Sequence, residues 1–218
     1  QASTMAASHL ADALKSALRA GGNATLVAGG GMTPLDTYRR LARTALDWHA
    51  VHVTLSDERW VAPSDASSNE RMLRNTLLTG TAAAATFHPL YRPGTSAEAA
   101  CAALEADFDS LPQPLAGALL GMGEDGHFAS LFAGAGNLRD ALDVDGTRLC
   151  MAVHPPASPG VRMSLTLAAL LRSSEINLLL FGDAKRAVYE QARATGSSLP
   201  VAALLAQTRV PVRVIWAP

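Results

Sequence analysis

The stretch Leu119-Leu120-Gly121-Met122-Gly123-Glu124-Asp125-Gly126-His127-Phe128-Ala129-Ser130-Leu131-Phe132 decides how the chain is read. The apolar run 115–120 that leads into it reads as a buried strand. That strand breaks into three glycines with two carboxylates between them, then meets a histidine and a second apolar run. In an α/β sheet, ligands bind at loops of this kind, at the carboxyl ends of strands. Glycine lets the backbone approach a ligand closely or take a positive φ. His127 is the side chain there best suited to move a proton near neutral pH. Gly-Asp-Gly is also ordinary turn chemistry, so the weight of a functional reading comes from the rest of the chain.

Upstream, a helical pattern over residues 4–20 ends at Gly21-Gly22, and 24–28 is a short apolar strand. The strand runs into Gly29-Gly30-Gly31-Met32-Thr33-Pro34. Thr33 before Pro34 reads as an N-cap with proline at the first helical position, and Leu35, Tyr38, Leu41 and Ala42 continue one helical face. Strand, glycines and helix start together offer N–H groups to an anion such as phosphate. The loop is neither a Walker motif nor a dinucleotide fingerprint, because the required spacings are absent. Residues 51–55 alternate as a second strand, and Ser56-Asp57-Glu58-Arg59-Trp60 places three charges at its end. Asn69 is expected to cap a helix carrying Met72 and Leu73. Residues 80–95 read as irregular, and 96–111 as an amphipathic helix.

Downstream, a short helical piece is expected at 138–142 and strands at 149–153, 162–167, 176–181 and 210–216. A helix opens at Gly182-Asp183-Ala184-Lys185, and another at Pro200. Strands and helices alternate, which predicts a mostly parallel sheet covered on both faces. Neither a repeat nor a linker interrupts the 218 residues, so one α/β domain over 1–218 is expected. Apolar residues make up 49% of the chain and charged ones 17%, enough for a sizeable core and incompatible with global disorder. A net charge of −1 gives no footprint for nucleic acid. No apolar run approaches the roughly 18 residues that span a bilayer, and no signal peptide is visible. Cys101 and Cys150 read as small buried apolar residues. A cytoplasmic protein, monomer or homodimer, is the expectation.

Five of these segments, in register, resemble the 6-phosphogluconolactonase family. The matching pieces are the Gly29–Pro34 loop, Asp57-Glu58-Arg59-Trp60 with Ser68-Asn69-Glu70-Arg71-Met72, Gly121 to Phe132, Arg162-Met163-Ser164-Leu165-Thr166, and Gly182-Asp183-Ala184-Lys185. The resemblance covers about residues 5 to 217. It implies a three-layer α/β/α, Rossmann-like fold and hydrolysis of 6-phospho-D-glucono-1,5-lactone in the oxidative pentose phosphate pathway. One position departs: Gly29 stands where the family usually has serine, so a hydroxyl donor to phosphate is missing.

A lactone is an activated ester, and its hydrolysis needs a base for water and donors for the developing oxyanion. The resemblance makes His127 the base, with Asp125 orienting it or binding a sugar hydroxyl and Arg59 supporting the carbonyl. Substrate and phosphate contacts are expected from Gly30, Gly31, Met32, Thr33, Asp57, Arg71, Arg162 and Lys185, the arginines by their forked donors and the lysine as a point charge. No cofactor and no metal is expected, the histidines being too dispersed for a ligand set. Two other readings compete. A glucosamine-6-phosphate deaminase/isomerase shares the Gly-His loop, but its pattern places a glutamate where this chain has Phe132. A non-catalytic sugar-phosphate-binding protein would not need to retain His127 and Asp125 together with the two phosphate cations, Arg162 and Lys185.

Overall fold

A computed structural model of the chain describes residues 1–157 and 159–218. In chain order its strands are β1 (Ala24–Ala28), β2 (Val51–Leu55), β3 (Asp57–Arg59), β4 (Thr86–His88), β5 (Gly117–Leu120), β6 (Cys150–Val153), β7 (Arg162–Leu165), β8 (Ile176–Phe181) and β9 (Val212–Ala217). Its helices are α1 (Ala2–Gly21), α2 (Leu35–Leu41), α3 (Asn69–Arg74), α4 (Ala97–Asp109), α5 (Leu138–Ala141), α6 (Leu167–Leu170), α7 (Asp183–Arg193) and α8 (Pro200–Ala206). Six strands pair in parallel in the order β4-β2-β1-β5-β8-β9, the middle of three layers. A parallel sheet covered on both faces needs strands without a polar side. Accordingly β1 and β5 are buried from end to end, and β8 from Ile176 to Leu180.

Helix α1 lies against β1, β5, β8 and β9. Its spacing of Leu10 and Leu14, with Ala6 and Ala7, puts one stripe entirely inside. Each leucine contributes about 1.5–3 kcal/mol by leaving water. The helix stops at Gly22, whose φ of 76° lets its N–H reach the Leu18 carbonyl at 2.9 Å.

The path of the chain fixes where a ligand can lie. It leaves β1 for β2 and the β4 edge, then returns to β5 on the other side of β1. The carboxyl ends of β1 and β5 therefore flank the point where strand order reverses, and a crevice opens there.

A second, three-stranded antiparallel sheet, β3-β7-β6, stands beside this frame and is absent from the alternation expected of the sequence. The charged run 57–59, expected as a strand-end loop, is itself a strand, with Asp57 opposite Ser164 and Arg59 opposite Arg162. It is fastened to β7 at both ends, since Trp60 N–H donates to Val161 O at 2.9 Å and Leu165 N–H to Ser56 O at 2.8 Å. Other details also differ. Pro34, not Thr33, is the N-cap of α2, because Tyr38 N–H bonds the Pro34 carbonyl at 2.9 Å. Ser68, not Asn69, caps α3, accepting from Arg71 N–H at 3.2 Å. The segment expected as irregular contains β4, paired to β2 from Thr86 to His88. Cys101 and Cys150 are buried and free. Among the described residues no helix is long and apolar enough to cross a membrane.

Candidate active site

Gly29 to Thr33 follow β1, and Gly121 to His127 follow β5. These two loops, with Ser56, Asp57, Arg59, Asn69, Ala129 and Lys185, enclose a cavity of about 310 Å³ at the strand-order reversal. Of the residues singled out in the sequence, Gly30, Gly31, Met32, Thr33, Asp57, Arg59, His127 and Lys185 line it. Asp125 stands behind His127. Arg71 lies outside the lining, its guanidinium donating to Ser64 O at 2.6 Å. Arg162 is also outside the lining and sits across the β3–β7 pair from Arg59. Burial and the neighbouring Arg59 charge both lower the Arg162 value, and Asp57 and Glu58 offset part of this.

The histidine loop is shaped by its glycines. His127 Nδ1 and Asp125 Oδ1 are 2.5 Å apart, with 30% of the His127 side chain exposed. Partial burial pushes the Asp125 carboxyl up, but the hydrogen bond and charge of His127 hold it below its ordinary value. A Cβ on Gly123 would fall on both members of this pair, so only glycine lets them pack over that backbone. Gly126 has a φ of 75°, closing the turn with its N–H on Gly123 O at 3.1 Å. The Phe132 ring rests on the imidazole, 4.3 Å between centroids, at the position where the deaminase pattern has a glutamate. With Nδ1 engaged by Asp125, Nε2 is the nitrogen left for a proton transfer.

The glycine loop is pinned from below. Tyr38, fully buried, donates its hydroxyl to Gly29 O at 2.7 Å. Burial first, and the charge of Asp57 second, keep that phenol well above its ordinary value and protonated as a donor. A Cβ on Gly30 would occupy the place of the Asn69 amide. Asn69 uses that space to donate to Asp57 O at 2.8 Å and to accept from Arg59 Nη1 at 3.1 Å. Arg59 also donates to Ser67 O at 2.5 Å, so its guanidinium is fixed at the cavity wall. Among the described residues the N–H groups of Gly30, Gly31, Met32 and Thr33 donate to no protein acceptor. Lys185, in the first turn of α7, reaches Thr33 Oγ1 at 3.5 Å. Thr33, freed from capping, thus faces the cation. This end of the cavity presents N–H groups, a hydroxyl and an ammonium, which is what a phosphate dianion binds.

Asp57 is 8% exposed, and both of its oxygens accept hydroxyl hydrogen bonds, from Ser56 at 2.8 Å and from Ser130 at 2.6 Å. Glu58, fully buried, accepts from the N–H groups of Arg59, Asn69 and Glu70 at 2.7–2.8 Å and from Ser68 Oγ at 3.0 Å. Burial pushes its carboxyl up, and the four donated bonds oppose this. It is a structural group that holds Arg59 and Asn69 in place. Asn69, Ser56 and Ala129 were not singled out as site residues in the sequence. All three lie inside quoted motifs, but nothing in one dimension shows that Asn69 fills the space of an absent Gly30 side chain.

Gly29 has a different explanation from a lost hydroxyl. A Cβ there would lie 2.6 Å from Leu119 O and 3.4 Å from Leu120 Cα, both backbone atoms. Its N–H already bonds Leu119 O at 2.8 Å. Overpacking of this kind costs about 1–3 kcal/mol, a fall of roughly 2–12 °C in melting temperature for a chain of this size. We expect Gly29→Ser to show that fall, with weaker binding of a sugar phosphate. Tighter binding at an unchanged melting temperature would restore the hydroxyl as the missing element.

Comparison with known proteins gives one consistent result. The family model described as glucosamine-6-phosphate isomerases/6-phosphogluconolactonase matches residues 1–216. A Caulobacter vibrioides protein named 6-phosphogluconolactonase is 45% identical over 214 residues, 97% of this chain and 91% of the other. One of the same name from Rhizobium meliloti is 39% identical over 207 residues, 94% of this chain and 89% of the other. The crystal structure of a 6-phosphogluconolactonase from Shewanella baltica superimposes with a TM-score of 0.95 at 37% identity, covering 100% of this chain and 93% of that one.

Proposed function

The chain belongs to the glucosamine-6-phosphate isomerase/6-phosphogluconolactonase family, and from that membership we propose how it hydrolyses 6-phospho-D-glucono-1,5-lactone to 6-phospho-D-gluconate, a step of the oxidative pentose phosphate pathway. The observation that carries the reading is that His127, with Asp125 behind it, Arg59 and the Lys185–Thr33 end of the glycine loop all meet in one cavity. The phosphate lies against Gly30, Gly31, Met32, Thr33 and Lys185. The lactone carbonyl lies toward His127 and Arg59.

Catalysis then follows from the groups present. Asp125 holds the imidazole through Nδ1 and leaves Nε2 to take a proton from water. The water oxygen adds to C1, and the carbonyl π pair moves onto the exocyclic oxygen, facing the Arg59 guanidinium. The tetrahedral intermediate collapses, the C1 to ring-oxygen bond breaks, and the ring oxygen takes the proton back from His127. The new carboxylic acid ionises, so one proton is released per turnover. Phe132 supports the imidazole by contact. The carboxylate a deaminase would use at that position is missing.

The test is turnover of the lactone above its spontaneous hydrolysis, with ammonia release from glucosamine 6-phosphate as the counter-assay. Ammonia release without lactone turnover would overturn the reading. Within it, Lys185→Ala should raise KM, because a phosphate contact is made equally in ground and transition states. A charge-assisted bond contributes about 1.5–3 kcal/mol, or roughly ten- to hundredfold in KM. Arg162→Ala should instead lower kcat, because Arg162 stands beside Arg59. A fall in kcat at constant KM for Lys185→Ala would exchange the two ends of the substrate.

A further inference from the structure

Ala129 is the only non-glycine residue among those described with a positive φ, at 47°. A left-handed backbone is strained for an alanine, whose Cβ crowds the following carbonyl. Such strain persists where neighbours dictate the conformation, and these positions gather at active sites. The neighbours here do dictate it. Phe128 is fully buried. Ser130 is buried as well, its hydroxyl donating to Asp57 at 2.6 Å and its N–H to Ser164 Oγ at 3.2 Å. Leu131 N–H closes the turn on Phe128 O at 3.0 Å.

One N–H group of this turn both belongs to a cavity-lining residue and is left over. Those of Ser130 and Leu131 are engaged, whereas the N–H of Ala129 donates to no protein acceptor among the described residues. Ala129 also lines the cavity with His127 and Arg59. The unengaged N–H groups of the glycine loop lie with Lys185 and Thr33 and serve the phosphate, so they do not supply the carbonyl end. We propose that the backbone N–H of Ala129 is a hydrogen-bond donor to the exocyclic oxygen of the lactone as it becomes an oxyanion, working beside Arg59. This rests on the hydrolytic reading above. A donor held by a locked turn needs no reorganisation when the negative charge develops, which is the condition under which such donors act strongly. Ser130 and Asp57 are then positioning residues, joining the catalytic loop to the second sheet so that the donor stays aimed.

The test is an amide-to-ester exchange at Ala129, with lactic acid in place of alanine, which keeps the methyl group and removes the one hydrogen. The expected result is a loss of about 10²-fold in kcat, with KM within twofold. The melting temperature should fall modestly, because the lost N–H has no partner within the protein but the exchange makes the Phe128 carbonyl, which accepts from Leu131 N–H, a weaker ester acceptor. A genetically coded companion is Ser130→Ala, which should lower kcat at constant KM and be rescued by Ser130→Thr. If the natural chain turns over lactone and the ester chain matches it within threefold, Ala129 has no part in the reaction. An unchanged kcat in Ser130→Ala would likewise remove the need for a locked turn. Failure of the natural chain to turn over lactone would instead overturn the hydrolytic reading itself, and this proposal with it.

Discussion

Replacing His127 with asparagine lowers kcat by about 10²–10⁴-fold, the usual loss for a general base, while the protein stays folded and KM changes little. Asparagine can still face Asp125, so the local hydrogen bond at 2.5 Å has a successor and the loop keeps its shape. Nothing then occupies the place of Nε2, and no other side chain lining the cavity can take its role. Asp57 is committed through both oxygens to Ser56 and Ser130. Arg59 and Lys185 are cations with no basic lone pair to offer. KM holds because the end of the cavity proposed for the phosphate is lined by different residues. The measurement is initial-rate hydrolysis with the spontaneous reaction subtracted, since the lactone opens unaided. Near-normal turnover in this variant would remove His127 from the mechanism.

Glu58→Ala is expected to cost about 3–5 kcal/mol of stability, because several buried donors lose one shared acceptor. Four donors lose their acceptor at once: three backbone N–H groups and the Ser68 hydroxyl. Each buried donor left unpaired costs about 1–3 kcal/mol, and water entering the gap recovers part of the sum. The loss appears as a lower urea midpoint, with the slope giving the surface exposed. Activity falls as well, because Arg59 and Asn69 both hang on this carboxylate through their own N–H groups. A stability change under about 1 kcal/mol would mean that α3 and β3 are held together by other contacts.

The central frame was legible because its physics is local. Apolar runs at Ala24–Ala28, Gly117–Leu120 and Ile176–Phe181 can only be strands covered on both faces. Helix α4 announces itself through Ser96, which accepts from Ala99 N–H at 3.2 Å. The second sheet was illegible for the opposite reason. Asp57-Glu58-Arg59 carries no hydrophobic alternation, and its burial depends on partners far away in sequence. Strand β4 is three residues long in an alanine-rich surround and gives too little pattern to detect.

The site divides in the same way. His127, Lys185 and the glycines stood out as residue types with few other uses in that order. What each glycine does was hidden, since it depends on which atom would collide with an absent side chain. Gly30 makes room for Asn69, Gly123 for the His127–Asp125 pair, and Gly29 for the backbone after β5. The left-handed turn at Ala129 was equally hidden, because alanine carries no sequence signal for that conformation.

The second sheet has a consequence for how the molecule comes into being. Thr33 and Lys185 are 152 positions apart, and Asp57 and Ser130 are 73 apart. A chain emerging from the ribosome can build helix α1 and pair β1 with β2 early, since those contacts are local. The lining of the cavity is not complete until α7 has been synthesised and has brought Lys185 to the glycine loop. Closing long loops adds little to the final free energy, because the entropy grows only with the logarithm of length. It weighs on the time taken. Nascent or truncated chains ending before Lys185 thus hold His127 and the glycine loop but lack the cation proposed above to fasten the phosphate, so the site is completed only when α7 arrives.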